Sequence, residues 1–130
     1  MILGVGCDIT NINRVLKSAK FADHFMRRIC GQDEINEIKK LALHTDKEKA
    51  CLLAKYFAGK EAFVKALGTG FRDGIFMKDI QILHNPLGKP YFKITGQAAQ
   101  KLADLSAQAQ THISLSDDFP YAQAFAVIEG

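Results

Sequence analysis

The sequence predicts an α+β fold, an antiparallel β-sheet packed with one long and several short helices. Three observations predict it. A helical repeat of apolar residues runs unbroken over 46–67. Alternating apolar segments lie near both ends of the chain and flank compact turn signals at 85–89 and 117–120. Helices and hairpins then follow one another without a βαβ rhythm, which argues against a parallel sheet. With 130 residues and 48% hydrophobic composition, the chain can bury one core, and residues 1–130 are expected to form a single domain.

Residues 2–10 read as a strand with two unlike faces. Met1, Leu3, Val5, Cys7 and Ile9 share one; Ile2, Gly4, Gly6 and Asp8 share the other. The glycines leave room beside Asp8 for something to approach. Residues 13–30 read as one or two short helices, and 32–43 as another, opened by Asp33 and Glu34. The long helix starts at Thr45 and Glu48, which have capping-box spacing, and stops at Gly68. Residues 79–84 and 90–95 read as strands joined across Asn85-Pro86-Leu87-Gly88-Lys89. A helix follows over 97–108, then strands over 111–116 and 121–128 around Asp117-Asp118-Phe119-Pro120.

Composition excludes several classes. No stretch approaches the roughly 20 apolar residues of a membrane span. The start MILGVGCDIT lacks a basic region and reaches Asp8 too early for a signal peptide. Cys7, Cys30 and Cys51 are odd in number and lack metal-type spacing, as expected of reduced thiols in a cytoplasmic protein. The net charge of +3 is mild, but Arg14, Lys17, Lys20, Arg27 and Arg28 crowd one segment against a single acid, Asp23, with Phe21, Phe25 and Met26 interleaved. This pattern fits a solvated helix face or a docking face for an acidic partner. No aromatic strand motif of an RNA-binding module is present, so no nucleic-acid partner is expected.

The chemistry centres on the long helix. Ala50, Leu53, Ala54, Phe57, Glu61 and Val64 fall on one stripe. A carboxylate there must be paired, hydrogen-bonded or bound to a metal. Asp8 and Glu61, from separate elements, suit Mg²⁺ completed by waters and phosphates; each alone also fits a cap or boundary residue. Lys60 and Lys65 bracket Glu61 and fit either phosphate ligands or helical surface charges. Gly68-Thr69-Gly70 offers backbone amides for phosphate, or merely ends the helix. His112, Ser114 and Ser116 alternate onto one strand face, a poor geometry for a nucleophile and its base, and no G-x-S-x-G elbow exists. A non-enzymatic trimeric scaffold would account for the hairpins but not for Glu61.

Taken together, MILGVGCDIT, Arg14, LAKYFAGKEAFVKALGTGF, DIQILHNPLGKPYF and HISLSDDFPYAQAFAVIE resemble, in order and spacing, the holo-[acyl-carrier-protein] synthases, which are 4′-phosphopantetheinyl transferases. The resemblance covers essentially the whole chain. It implies the 4′-phosphopantetheinyl transferase fold, with coenzyme A and Mg²⁺ bound. It also implies transfer of phosphopantetheine to a serine of acyl carrier protein, for fatty acid biosynthesis, with release of adenosine 3′,5′-bisphosphate. By that resemblance Asp8 and Glu61 match the metal carboxylates, and Lys65 the lysine near the phosphates. Gly68 and Gly70 match the loop beside the cofactor, and Pro90 and His112 match pocket-lining positions. Arg14, Phe25 and Arg27 lie in the helix that meets the carrier. The family is similar to a homotrimer with active sites at subunit interfaces. The chain departs from it at Tyr56, where the family usually has an arginine that helps bind the nucleotide, so that a neighbour such as Lys55 is expected to compensate. It departs also at Gly59, usually alanine, and at Asp117, often histidine. A carboxylate in the Asp33/Glu34 turn is one candidate for the general base, a metal-associated water another.

Overall fold

The computed structural model describes residues 1–130. The fold is α+β, as the pattern predicts. β1 (Ile2–Asn11) leads through a short 3₁₀ turn into α1 (Ala19–Ile29), α2 (Gln32–Lys40) and the long α3 (Asp46–Leu67). The hairpin β2 (Ile80–His84) and β3 (Pro90–Ile94), α4 (Gly96–Leu105), and the hairpin β4 (Gln110–Asp118) and β5 (Tyr121–Glu129) follow. The strands form two antiparallel sheets, one of order β1-β5-β4 and one of β2 with β3. The last hairpin is longer than its sequence pattern predicts. Asp117 and Asp118 continue β4, and only Phe119-Pro120 make the turn.

α3 is the axis of the molecule. Thr45 Oγ1 accepts the Glu48 amide at 3.0 Å, while Glu48 Oε2 accepts the amide of His44, one residue before the cap, at 2.9 Å. Gly68 closes the helix in a left-handed conformation, φ 82°. The expected stripe is buried at Ala50, Leu53, Ala54 and Val64, with Phe57 and Glu61 half-buried at its edge. Burial extends far beyond that stripe, to Tyr56, Ala58, Lys60, Ala62 and Phe63, because α3 is enclosed by α1 and by strands of both sheets.

Lys60 is therefore neither a phosphate ligand nor a surface charge. It is fully buried, and its Nζ donates to Glu34 Oε1 at 2.7 Å, Met77 O at 3.0 Å and Ile80 O at 2.7 Å. Glu34 also accepts the amides of Gly31 at 2.9 Å and Ile82 at 3.0 Å. Its carboxylate is enclosed and committed, so it is not the general base. Asp33 is paired with Lys93.

The glycine face of β1 has a different occupant from the one its sequence suggests. What approaches beside Asp8 is α3 itself. A Cβ on Gly4 would lie 1.9 Å from Ala66 O, and one on Gly6 1.9 Å from Ala62 O. β5 meets the same helix with Ala122, Ala124, Ala126 and Ile128, all buried. Small residues on two neighbouring strands thus let the helix backbone settle close to the sheet. Gly59 does the same for the second sheet, since a Cβ there would sit 2.6 Å from Ile82 Cδ1. The obstacle at Gly6 is backbone and cannot swing aside. Gly6→Ala is expected to destabilise the chain by at least about 3 kcal/mol, the upper range for overpacking. Urea unfolding checks this: a midpoint within error of the parent would show that α3 can back away from β1 at little cost.

Candidate active site

The close seating of α3 on β1 brings three of the expected residues together. Asp8 faces the helix, and Lys65 Nζ donates to its Oδ1 at 3.1 Å and to the Cys7 carbonyl at 2.9 Å. Thr10 Oγ1 donates to the other Asp8 oxygen at 3.3 Å. Glu61 lies one turn before Lys65. Its carboxyl is held above the ordinary range, first by desolvation and then by the negative charge of Asp8, against the pull of Lys65 and Arg14. Two carboxylates from separate elements thus sense each other across the β1–α3 seam, with Lys65 and Arg14 as the nearby cations.

Beside this cluster opens a cleft of about 760 Å³, lined by Arg14, Lys17, Phe21, Phe25, Arg28 and Phe57 among others. The Arg14 guanidinium lies 5.9 Å from the Phe57 ring centre, and Phe25 packs on Phe57 at 5.7 Å. Lys17 sits over Phe21 at 4.8 Å. The cleft alternates cations with aromatic faces, Phe57 of α3 among them. Arg27 stands differently. It does not line the cleft but pairs with Asp23 on its own helix at 3.3 Å, and Lys49 meets the same carboxylate at 3.2 Å. Arg28 and Phe21 belong to the basic segment and Phe57 to the α3 stripe read from the sequence, but the resemblance assigns only Arg14, Phe25 and Arg27 to the partner; the i, i+4 spacing of Asp23 and Arg27 is the signal that the cleft-facing arginine is Arg28.

The remaining candidates fall elsewhere within one chain. Gly68 and Gly70 end α3, but the amides of Gly68, Thr69 and Gly70 turn inward to Val64 O at 3.0, 3.3 and 3.4 Å, so the loop here is a helix terminator and not an outward anion cradle. His112 stands opposite Val127, which stands opposite Val5, on the sheet face turned away from α3. Its Nε2 lies 2.7 Å from Glu129 Oε1. Pro90 opens β3 opposite His84 in the other sheet. Tyr56 is buried, with its hydroxyl 3.5 Å from His84 Nδ1, and His84 Nδ1 is 2.7 Å from Glu37 Oε1. Lys55 is bound to Asp117 at 3.1 Å.

The profile of the 4′-phosphopantetheinyl transferase superfamily matches residues 4–124, from β1 into β5, and so takes in Asp8, Glu61 and Lys65 together. The chain belongs to that superfamily. The holo-[acyl-carrier-protein] synthase of Sphingopyxis alaskensis is 42% identical over 133 residues, covering 99% of this chain and 97% of that protein. The holo-[acyl-carrier-protein] synthase of Wolbachia pipientis is 46% identical over 129 residues, covering 98% of each. Among solved structures, the Neisseria meningitidis holo-[acyl-carrier-protein] synthase superposes with TM-score 0.81 at 36% identity and covers all of both chains. The Bacillus anthracis synthase, in complex with CoA (3′,5′-ADP), superposes with TM-score 0.78 at 32% identity, covering 100% of this chain and 98% of that one.

The donor set of this phosphopantetheinyl transferase superfamily member fits Mg²⁺. Asp8 and Glu61 are hard oxygen donors, and the chain has no cluster of three or more potential side-chain ligands. An ion that keeps several waters and is shared with substrate phosphates needs no third carboxylate. The negative charge of Asp8 raises the Glu61 carboxyl, and a divalent cation held by both would offset that repulsion.

Proposed function

We propose that the chain is an Mg²⁺-dependent holo-[acyl-carrier-protein] synthase. It transfers the 4′-phosphopantetheine of coenzyme A to a serine of apo acyl carrier protein, for fatty acid biosynthesis. The observation that supports this is the Lys65–Asp8 ion pair at the β1–α3 seam, one helical turn from Glu61 and beside a cleft of alternating cations and aromatics. In the reaction the serine oxygen bonds to the pantetheine-side phosphorus of the pyrophosphate, and the bond to the bridging oxygen breaks. Adenosine 3′,5′-bisphosphate leaves, and the serine proton passes to water. Asp8 and Glu61 would hold the ion, which when bound neutralises charge on the pyrophosphate. Lys65 meets the phosphate charge that grows on the leaving group. The nucleophile belongs to the partner, consistent with the lack of a Ser/His pair in this chain. Incubation with CoA, Mg²⁺ and apo carrier protein, followed by intact mass, tests the proposal. One phosphopantetheine on the carrier supports it, and an unmodified carrier overturns it.

The sheet face turned away from α3 exposes Val5, Ile9, Tyr121 and Phe125, 45–62% each, and carries His112. A face that apolar is suited to a second copy, and a homotrimer through it would set His112 of one copy against a neighbour, with active sites at the interfaces. No helix is long and apolar enough to cross a membrane. All three cysteines are free, and burial pushes the Cys30 thiol up to about 12; unpaired thiols suit the cytoplasm.

Lys65→Ala is expected to raise the apparent KM for CoA and lower kcat by roughly tenfold or more, and Lys65→Arg to rescue poorly, because a planar fork does not replace a compact ammonium. Unchanged kinetics would make Lys65 a bystander. Arg14→Glu is expected to raise KM for apo carrier protein far more than KM for CoA. The effect should shrink as salt rises, since exposed charges are screened over about 10 Å at 0.1 M. KM for both substrates at two ionic strengths decides. An equal rise in both would mean that Arg14 acts through the nucleotide pocket and not through carrier docking.

A further inference from the structure

We infer that Lys65 is a tethered counter-ion that occupies Asp8 in the metal-free enzyme and gives it up when a divalent cation binds, so that one ammonium serves two successive anions. The inference rests on the assignment of Asp8 and Glu61 as the metal carboxylates. Lys65 Nζ donates directly to Asp8 Oδ1 at 3.1 Å, one of the two carboxylate oxygens that could hold a cation, while its second contact is the neighbouring Cys7 carbonyl at 2.9 Å. The other Asp8 oxygen is held by Thr10 Oγ1 from the same strand, and Thr10 is buried. Of the two partners Thr10 is the fixed one. The Lys65 side chain is 53% exposed against 17% for Asp8, so it is the partner free to leave.

The charges count in the same direction. Asp8 and Glu61 carry two negative charges, and Lys65 and Arg14 two positive ones. The metal-free seam is therefore balanced. Arg14 is engaged with the Phe57 face at 5.9 Å and makes no bond to Asp8. A divalent cation placed on both carboxylates leaves the seam with excess positive charge. Repulsion then drives the exposed ammonium from Asp8 towards any anion bound alongside, which in this enzyme is the pyrophosphate of the incoming cofactor. Binding of the cation and recruitment of Lys65 to phosphate are one coupled event, and the coupling is reciprocal.

This makes an expectation opposite to that for a residue that helps hold the metal. Removing Lys65 should improve binding of the cation when no CoA is present. Isothermal titration of the full chain with MgCl₂ alone, and with MnCl₂ alone, reads this directly. Lys65→Met is expected to bind either ion about fivefold more tightly than the parent, the factor set by the upper range for a partly exposed pair. Arg14→Ala, which removes an equal charge without a bond to Asp8, is expected to change the affinity less than about twofold. An ammonium-detected NMR spectrum of the parent supplies the second readout. The hydrogen-bonded Lys65 signal, assigned by its loss in Lys65→Met, should shift or vanish at saturating Mg²⁺. Equal or weaker binding by Lys65→Met would overturn the inference, as would equal tightening by Arg14→Ala or an unmoved Lys65 signal. Parent binding that depends on Asp8 and Glu61, with no gain in Lys65→Met, sinks the counter-ion and leaves the metal assignment standing. A parent that takes up neither ion sinks both.

Discussion

Asp8→Ala and Glu61→Ala are each expected to lower transfer at least about a hundredfold, the scale for losing one charge-stabilising group in an active site. The circular dichroism of both variants should match that of the parent. Neither side chain contributes much to the core: Asp8 faces a polar seam with Lys65 and Thr10, and Glu61 sits at the edge of the α3 stripe. Glu61→Gln separates function from stability more sharply. Desolvation and the Asp8 charge hold the folded Glu61 carboxyl above its ordinary range. The folded chain therefore keeps that proton to higher pH than the unfolded chain does. The stability this brings is present at low pH and is lost as pH rises through the raised value. At neutral pH the ionised carboxylate is a liability in the metal-free protein, so Glu61→Gln should melt at a higher temperature than the parent while losing transfer. Transfer by the parent should fall as pH drops through the same range, because the ion needs the ionised carboxylate. Near-normal turnover in both alanine variants would remove Asp8 and Glu61 from the reaction. A lower melting temperature for Glu61→Gln would mean that the carboxylate is a structural contact.

The parts of this site that are legible in sequence depend on local spacing. Thr45, Glu48 and Gly68 mark both ends of α3 because caps act within four residues. Asp8 and Glu61 stand out because a strand period and a helix period each place a carboxylate where an apolar or small residue is expected. The parts that are not legible depend on distant partners. Lys60 looks like half of a basic bracket around Glu61, and nothing in its own helix shows that Glu34 and the carbonyls of Met77 and Ile80 surround it. Glu34 in turn resembles a helix-opening acid, whereas its oxygens are taken by Gly31, Ile82 and Lys60. The division into two sheets follows from how both hairpins wrap α3, and hairpin signals alone say only that each pair is antiparallel. The inward turn of the Gly68-Thr69-Gly70 amides is decided by one carbonyl, Val64 O, which competes with any outside anion for them.

The largest expected effect on stability is at Lys60. Its ammonium has three protons and three acceptors, and no buried side-chain polar atom in the chain lacks a partner. Removing one member of such a pair strands the other without water. Lys60→Met is expected to cost about 3–5 kcal/mol, a large share of the roughly 5–15 kcal/mol that holds a domain of this kind together. Glu34→Leu should cost at least as much, because it also orphans the amides of Gly31 and Ile82. The double variant Lys60→Met with Glu34→Gln should recover much of the loss. The side-chain oxygen of the introduced glutamine can still accept an amide, and no charge remains buried, so the two costs are far from additive. The pH dependence identifies the cause. Burial holds the Glu34 carboxyl above its ordinary range, and removing the ammonium also removes the chief force that pulls it down. In Lys60→Met the folded chain then favours the protonated acid, so the loss should be greatest at neutral pH and shrink as the solution is acidified. Urea unfolding at two pH values measures both quantities. A Lys60→Met variant as stable as the parent at neutral pH would show that the pair adds nothing to the fold. A loss that does not change with pH would place the damage in packing and not in a stranded carboxylate. Because Lys60 directly precedes Glu61 and ties mid-α3 to α2 and β2, the same variant should also lower transfer at temperatures well below its unfolding, through misplacement of the carboxylate beside Asp8.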